Sequence, residues 1–150
     1  MFDASKIGQS FAPFTIEVLR NKIHELTTAI GDDNPVYHSR EAARAAGFAD
    51  VPISPTTPTM FNFWGNRQRG STLAEVGINV ARILHGEEEY EYLQPIYPND
   101  VLTGITTLTD GRTRLGSNGS SMDILTLETR YVNQHDQHVL TSRTTIVVRD

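Results

Sequence analysis

Apolar residues Ile16, Leu19, Ile23, Leu26 and Ile30 recur at three- and four-residue steps, the pattern of one buried stripe on a helix over 15–30. Thr15 can cap its start, Glu17 complements the positive end, and Gly31 suits the stop. The polar run 31–35 follows, where Pro35 disfavours helix at Asn34. A second, short helix is predicted over 39–46, with Ser39 as cap and Gly47 as stop. Its alanines can pack closely but bury little area. Within 51–58, Pro52, Pro55 and Pro58 preclude a central strand, and Thr57-Pro58 reads as cap and first helical position. Met60, Phe61, Phe63 and Trp64 then occupy more than one face of the next helix, which makes it a buried one.

From about residue 79 the chain changes character. Val101, Ile105, Ile124, Leu127, Val132, Val139, Ile146 and Val147 sit among many threonines, a composition that favours strands. Four are predicted, over 79–93, 101–110, 122–132 and 138–149. Pro95, Pro98-Asn99-Asp100, Asp110-Gly111 and Asn133-Gln134-His135-Asp136 supply the turns. No repeat or linker interrupts the chain, so 1–150 is expected to be a single domain. Helices first and an antiparallel meander afterwards make an α+β layout, whose sheet needs an apolar helix to cover it.

Composition narrows the picture by exclusion. A 150-residue chain with 38% hydrophobic and 21% charged residues can bury a real core. It has no cysteine, hence no disulfide and no thiolate nucleophile or metal ligand. No apolar run is long enough to span a bilayer, and the first residues lack the features of a secretory signal. The expected location is cytoplasmic. A net charge of −5 without a basic run argues against a nucleic-acid partner.

Chemistry concentrates in Gly31-Asp32-Asp33-Asn34-Pro35-Val36-Tyr37-His38. A carboxylate and an imidazole converging on one water can trade protons near neutral pH. Asp or Asn in such a turn can equally serve only the local backbone.

These residues resemble the Gly-Asp-x-Asn-Pro signature of the MaoC-like hydratase/dehydratase family, which includes R-specific enoyl-CoA hydratases and 3-hydroxyacyl dehydratases. Ala42-Ala43 and Gly47-Phe48 resemble the stretch that follows it. Leu84-His85-Gly86-Glu87 and Pro95-Ile96-Tyr97-Pro98-Asn99-Asp100 resemble the N-terminal type of MaoC-like dehydratase domain. The likeness runs from about residue 7 to the end of the chain. It implies a hot-dog fold, a curled antiparallel sheet around a central apolar helix, here 57–65. It also implies reversible hydration of an enoyl thioester to a 3-hydroxyacyl thioester, carried by coenzyme A or acyl carrier protein. Asp32 would activate water with His38 as proton partner, and a backbone N–H would polarise the thioester carbonyl. No metal or redox cofactor is implied.

Two departures from the active pattern matter. Its histidine follows the aspartate by five positions; here Tyr37 stands at that place and His38 one later. Its His-Gly step near Ile53 is replaced by Ser54-Pro55-Thr56, and Pro55 has no N–H. The Pro-Thr pattern resembles the substrate-holding half of two-chain members. The alternative to a self-sufficient hydro-lyase is therefore a non-catalytic subunit in a heteromeric dehydratase, and a homodimer or heterodimer of hot-dog chains is expected. A thioesterase on the same fold is a weaker third reading.

Asn34, Tyr37, Pro55, Thr56, Phe61, Trp64 and His85 complete the expected substrate-binding set. Candidate anion ligands are Lys22, Arg67, Arg69, Arg112 and Arg114. His24 is read as facing solvent or a partner, and His135 and His138, flanking a predicted hairpin turn, as facing solvent. Glu87, Glu89 and Glu91 mark one solvated strand face. No histidine spacing suggests zinc, and Ser71, Ser117 and Ser120 lack a nucleophile-elbow context.

Overall fold

The computed structural model describes residues 2–65, 73–116 and 119–149. Five strands form one sheet: β1 (Phe14–Glu17), β2 (Ile83–Tyr92), β3 (Val101–Leu115), β4 (Ser121–Val132) and β5 (His138–Arg149). Their order is β1-β3-β4-β5-β2, and every pairing is antiparallel. The expected meander is β3-β4-β5, while β2 returns along the free side of β5. The helices α1 (Arg20–Ala29), α2 (Arg40–Ala45) and α3 (Phe61–Trp64) precede β2. None of the helices among the described residues is long and apolar enough to cross a membrane.

Period-two alternation decides which face of the sheet is covered. On β4, Asp123, Leu125, Leu127, Thr129 and Tyr131 are buried while most of their neighbours are not. The same face of β5 carries Leu140, Ser142, Thr144 and Ile146. Two apolar clusters lie on it. One gathers Ile16, Ile23, Ile53, Phe61, Ile96, Leu102, Tyr131 and Leu140. The other gathers Phe11, Leu73, Val76, Leu108, Leu125 and Ile146. A hydroxyl belt crosses between them. Thr106 and Thr129 share a 2.8 Å bond, and the Ser142 and Thr144 hydroxyls donate to Glu88 Oε1 at 2.8 and 3.0 Å.

The helix predicted over 15–30 is two elements. Residues 14–17 are β1, in register with β3 (Ile16 opposite Leu102), and the helix begins at Arg20. Ile16 and Val18, both buried, also satisfy the strand period, and pairing with β3 settles the ambiguity. Thr15 thus caps nothing; Leu19 holds the cap position without a side-chain bond. Gly31 ends the helix at φ +74°, as expected. α2 forms as predicted, with Ser39 Oγ accepting from the Ala42 N–H.

The helix over 57–65 is shorter and more one-sided than its composition implied. A 3₁₀ turn (Thr57–Met60) leads into the single α turn of α3. Phe61 is fully buried against Tyr131, ring centroids 5.5 Å apart, whereas Phe63 is 69% exposed on the opposite side. Thr57 bonds the Ser54 hydroxyl at 2.9 Å rather than capping. Asp110-Gly111, read as a turn, lies inside β3. A register shift between Leu108 and Asp110 absorbs the extra residue.

Gly104 of β3 has no room for a side chain. A Cβ there would stand 2.6 Å from the Phe14 ring and 2.9 Å from that of Tyr131. Gly104→Ala is expected to destabilise the fold by about 1–3 kcal/mol through overpacking. Leu140→Ala, removing a fully buried side chain, should cost about 2–5 kcal/mol. Urea denaturation measures both; an unchanged midpoint for Gly104→Ala would show that Phe14 is not seated there.

Candidate functional site

The turn after α1 is built by its own side chains. The Asp32 N–H donates to Thr27 O at 2.8 Å. Asp32 Oδ1 accepts from the Asn34 N–H at 3.1 Å, and Asn34 Oδ1 accepts from the Val36 N–H at 3.2 Å. These successive Asx turns lead into a 3₁₀ turn, Pro35–Tyr37, that delivers Tyr37 and His38.

His38 does meet Asp32, but through the backbone. Its Nε2 lies 2.7 Å from Asp32 O, and its Nδ1 lies 3.0 Å from Nδ1 of His24. The two rings cross edge to face at 86°. A carbonyl can only accept, so His38 Nε2 carries a proton. The Asp32 carboxylate is bonded instead to the Asn34 N–H.

Two cavities flank this turn, and Tyr37 lines both. The first is an apolar slot of about 380 Å³ walled by Phe48, Ile53, Pro55, Tyr92, Leu93 and Ile96 as well as Tyr37. Pro55 lends it a carbonyl, which accepts from the Tyr92 hydroxyl at 2.9 Å. Burial pushes the Tyr92 phenol well above its ordinary range. Burial, aided by the Asp32 charge, also raises that of Tyr37. Beside the slot, Tyr90 is pushed up to about 12, chiefly by burial, and its hydroxyl bonds Thr59 at 2.6 Å. The second cavity, about 730 Å³, is a cleft lined by Arg20, His24, Tyr37, His38, Arg40 and Val51 among others.

Asp50 organises the cleft. It takes a bidentate pair of bonds from Arg20, at 2.9 and 2.7 Å, and faces Arg40 Nε at 3.3 Å. The Arg20 guanidinium holds its carboxyl well below the usual carboxylate range.

Of the expected substrate-binding residues, Tyr37 and Pro55 line the slot. Asn34 serves the turn, and Thr56 is exposed outside the slot lining. Phe61 and Trp64 pack with each other and with the apolar cluster, outside that lining, because their helical face turns to Tyr131. His85 sits on β2, its Nε2 3.0 Å from Glu88 Oε2. Lys22 is paired with Glu25, and Arg112 lies on β3 opposite Ile124. Arg114 is also on β3; Arg67, Arg69, Ser71 and Ser117 lie outside the described residues. The acidic face of β2 is bridged: Arg143 binds Glu89, Glu91 and Glu128. Among the described residues no acidic or histidine cluster suits a metal. Sequence reasoning missed His24, Arg20, Arg40 and Asp50. The available signal was that Arg20 and His24 stand four residues apart, on one face of α1.

Comparison with known proteins matches residues 5–142 to a family described as FAS1-like, dehydratase domain region. The chain belongs to that family. A curated relative, a UPF0336 protein of Thermobifida fusca, is 36% identical over 95% of this chain and 91% of its own length. Among solved structures, a chain of the HadBC (3R-hydroxyacyl-ACP dehydratase) complex of Mycobacterium tuberculosis superposes with a TM-score of 0.79 at 19% identity, covering 95% of this chain and 96% of that one. The MaoC-like dehydratase of Rhodospirillum rubrum gives 0.70 at 21% identity over 99% and 97%. These neighbours share the fold, so the sheet and its helices are the MaoC-like hot-dog arrangement.

Asp50 yields a pH-dependent expectation. Its folded-state acidity is increased, so its stabilisation is present above the ordinary aspartate pKa of about 3.9 and fades as pH falls through and below that value. Asp50→Asn should therefore be less stable by about 1 kcal/mol at neutral pH, with the difference shrinking towards pH 2. Thermal melts across that range check it; a constant difference would refute it.

Proposed function

We propose that the chain is the acyl-holding subunit of a two-chain hydro-lyase, acting in the cytoplasm on an acyl thioester of coenzyme A or acyl carrier protein. The enoyl or 3-hydroxyacyl chain occupies the apolar slot, and a catalytic hot-dog partner supplies the groups that move water. One observation carries the reading: both ring nitrogens of His38 are engaged, by Asp32 O and by His24. With Nε2 protonated and Nδ1 facing His24, the ring offers no free lone pair to a water. Asp32 is likewise occupied with the Asn34 N–H.

The slot supports the same division of labour. Its wall has Pro55, without an N–H, where an active site needs a donor for developing oxyanion charge. The HadBC neighbour is, by its own description, a dehydratase built as a complex.

A second reading keeps the chain self-sufficient, with Asp32 activating water and His38 exchanging its proton. It is favoured by the placement of Asp32, Tyr37 and His38 on one turn whose Tyr37 lines the slot. Small shifts that break the His24 bond would free His38 Nδ1 for this work.

Turnover of crotonyl-CoA and longer enoyl-CoAs separates the two. The isolated chain is expected to be inert, and adding a catalytic hot-dog chain encoded beside it should give activity. Within that complex, Asp32→Asn in this chain should change turnover by less than about twofold, since it touches no reacting atom. Turnover by the isolated chain that falls roughly a hundredfold in Asp32→Asn or His38→Ala would establish the second reading instead. Leu93→Trp, filling the slot from an exposed position, should raise KM in the complex more than it lowers kcat.

A further inference from the structure

The cleft has features that the acyl-holding role leaves unused. It holds two arginines and two imidazoles on the far side of Tyr37 from the slot. Asp50 binds both outer nitrogens of Arg20 but only Nε of Arg40, at 3.3 Å. Among the described residues, the outer fork of Arg40 therefore has no protein partner, and its side chain is largely exposed.

The imidazole pair obeys strict proton bookkeeping. Asp32 O can only accept, so His38 Nε2 carries a proton. In the neutral pair, His38 Nδ1 is then an acceptor, and His24 must donate from its own Nδ1 across the 3.0 Å contact. That leaves the lone pair of the whole chain on His24 Nε2, which has no protein partner among the described residues. One added proton goes there without breaking any bond and turns a repelling lone pair into a cationic donor. A second would set two N–H groups face to face at Nδ1.

We propose that this cleft is a proton-linked anion site, in which the outer fork of Arg40 and His24 Nε2–H hold a phosphate group of the arm that carries the acyl chain. Arginine suits phosphate because its fork offers parallel donors. Binding one phosphate takes up one proton on the histidine pair. Tyr37 is the wall common to both cavities. The charged and titratable groups around the pair are Arg20 from α1, Asp32 and Tyr37 from the turn, Arg40 from α2, and Asp50 from the loop after it. Asp50 is held ionised by its arginines. The carrier's identity rests on the proposed function; the anion site does not.

Inorganic sulfate reads the site alone, because its charge is constant over the range used. Its affinity for the whole chain, measured by calorimetry from about pH 5.5 to 8.5, should be flat at the acidic end. It should then fall by up to about tenfold per pH unit, the slope for one linked proton. His24→Gln should abolish that slope. Nitrogen shifts of the neutral protein should place the His24 proton on Nδ1. Absence of sulfate binding, or the same slope in His24→Gln, would overturn the site. Arg40→Gln should weaken sulfate and butyryl-CoA by roughly tenfold, the loss of one charge-assisted fork. It should leave S-butyryl-N-acetylcysteamine, which has no phosphate, unchanged. Equal losses for the two thioesters would overturn the assignment. Proton-linked sulfate binding with neither thioester entering the slot would keep the anion site and remove the acyl-holding reading.

Discussion

The helical half of the molecule is held where Gly104 leaves the inner face of β3 bare. Into that gap the Phe14 ring packs edge-on to Tyr131, centroids 6.0 Å apart, and Phe61 of α3 closes over the same tyrosine. β1 and α3 thus lie against the sheet together. Gly65 repeats the device one layer out, since a Cβ there would collide with Ile16 and the Thr15 carbonyl. Because α1 starts within three residues of β1, this packing also sets where Arg20 and His24 emerge. A site that looks like a surface turn is therefore referenced to the aromatic packing on the inner face of the sheet.

Sequence legibility followed from how many physical constraints act on each segment. Strands β3 to β5 were readable because threonine and β-branched residues recur over long runs, and burial of one face enforces the period, whereas β2 begins only at Ile83, after a 3₁₀ turn over Val80–Arg82. α2 was readable because Ser39 and Gly47 bracket seven residues, six of them helical, with no competing use. The start of α1 was not. Ile16 fits a helical stripe and a strand alternation equally well, and only Leu102, 86 positions later, decides between them. The Asp110-Gly111 pair failed for a related reason. Locally it is a turn, but continued pairing with β4 on both sides converts it to a bulge.

The turn was legible in its residues and not in its wiring. Of Gly31 to His38, Tyr37 lines the apolar slot, while Asp32 and His38 stand outside its lining. Which atom of Asp32 meets His38 depends on the backbone path through Asn34 and Pro35, and a carbonyl leaves no trace in a residue pattern. His24 was invisible as a partner because it lies fourteen residues away, across a helix end. The clamp of Asp50 on Arg20 and Arg40 was hidden similarly, each residue looking like ordinary surface charge until the chain folds.

Tyr37 is where these threads join. At the position where the resembled signature has its histidine, a phenol raised by burial and by the Asp32 charge stays protonated at neutral pH. It can donate a hydrogen bond and present a flat apolar face, but it has no lone pair basic enough to take a proton from water near neutrality. The one-residue displacement of the imidazole therefore changes the kind of site, not only its spacing. The slot receives a rigid wall in place of a base, and the histidine, moved past that wall, joins His24 and the arginines in a compartment suited to charge. In the proposed function, Tyr37 is the wall shared by the slot for an apolar tail and the cleft for an anionic group.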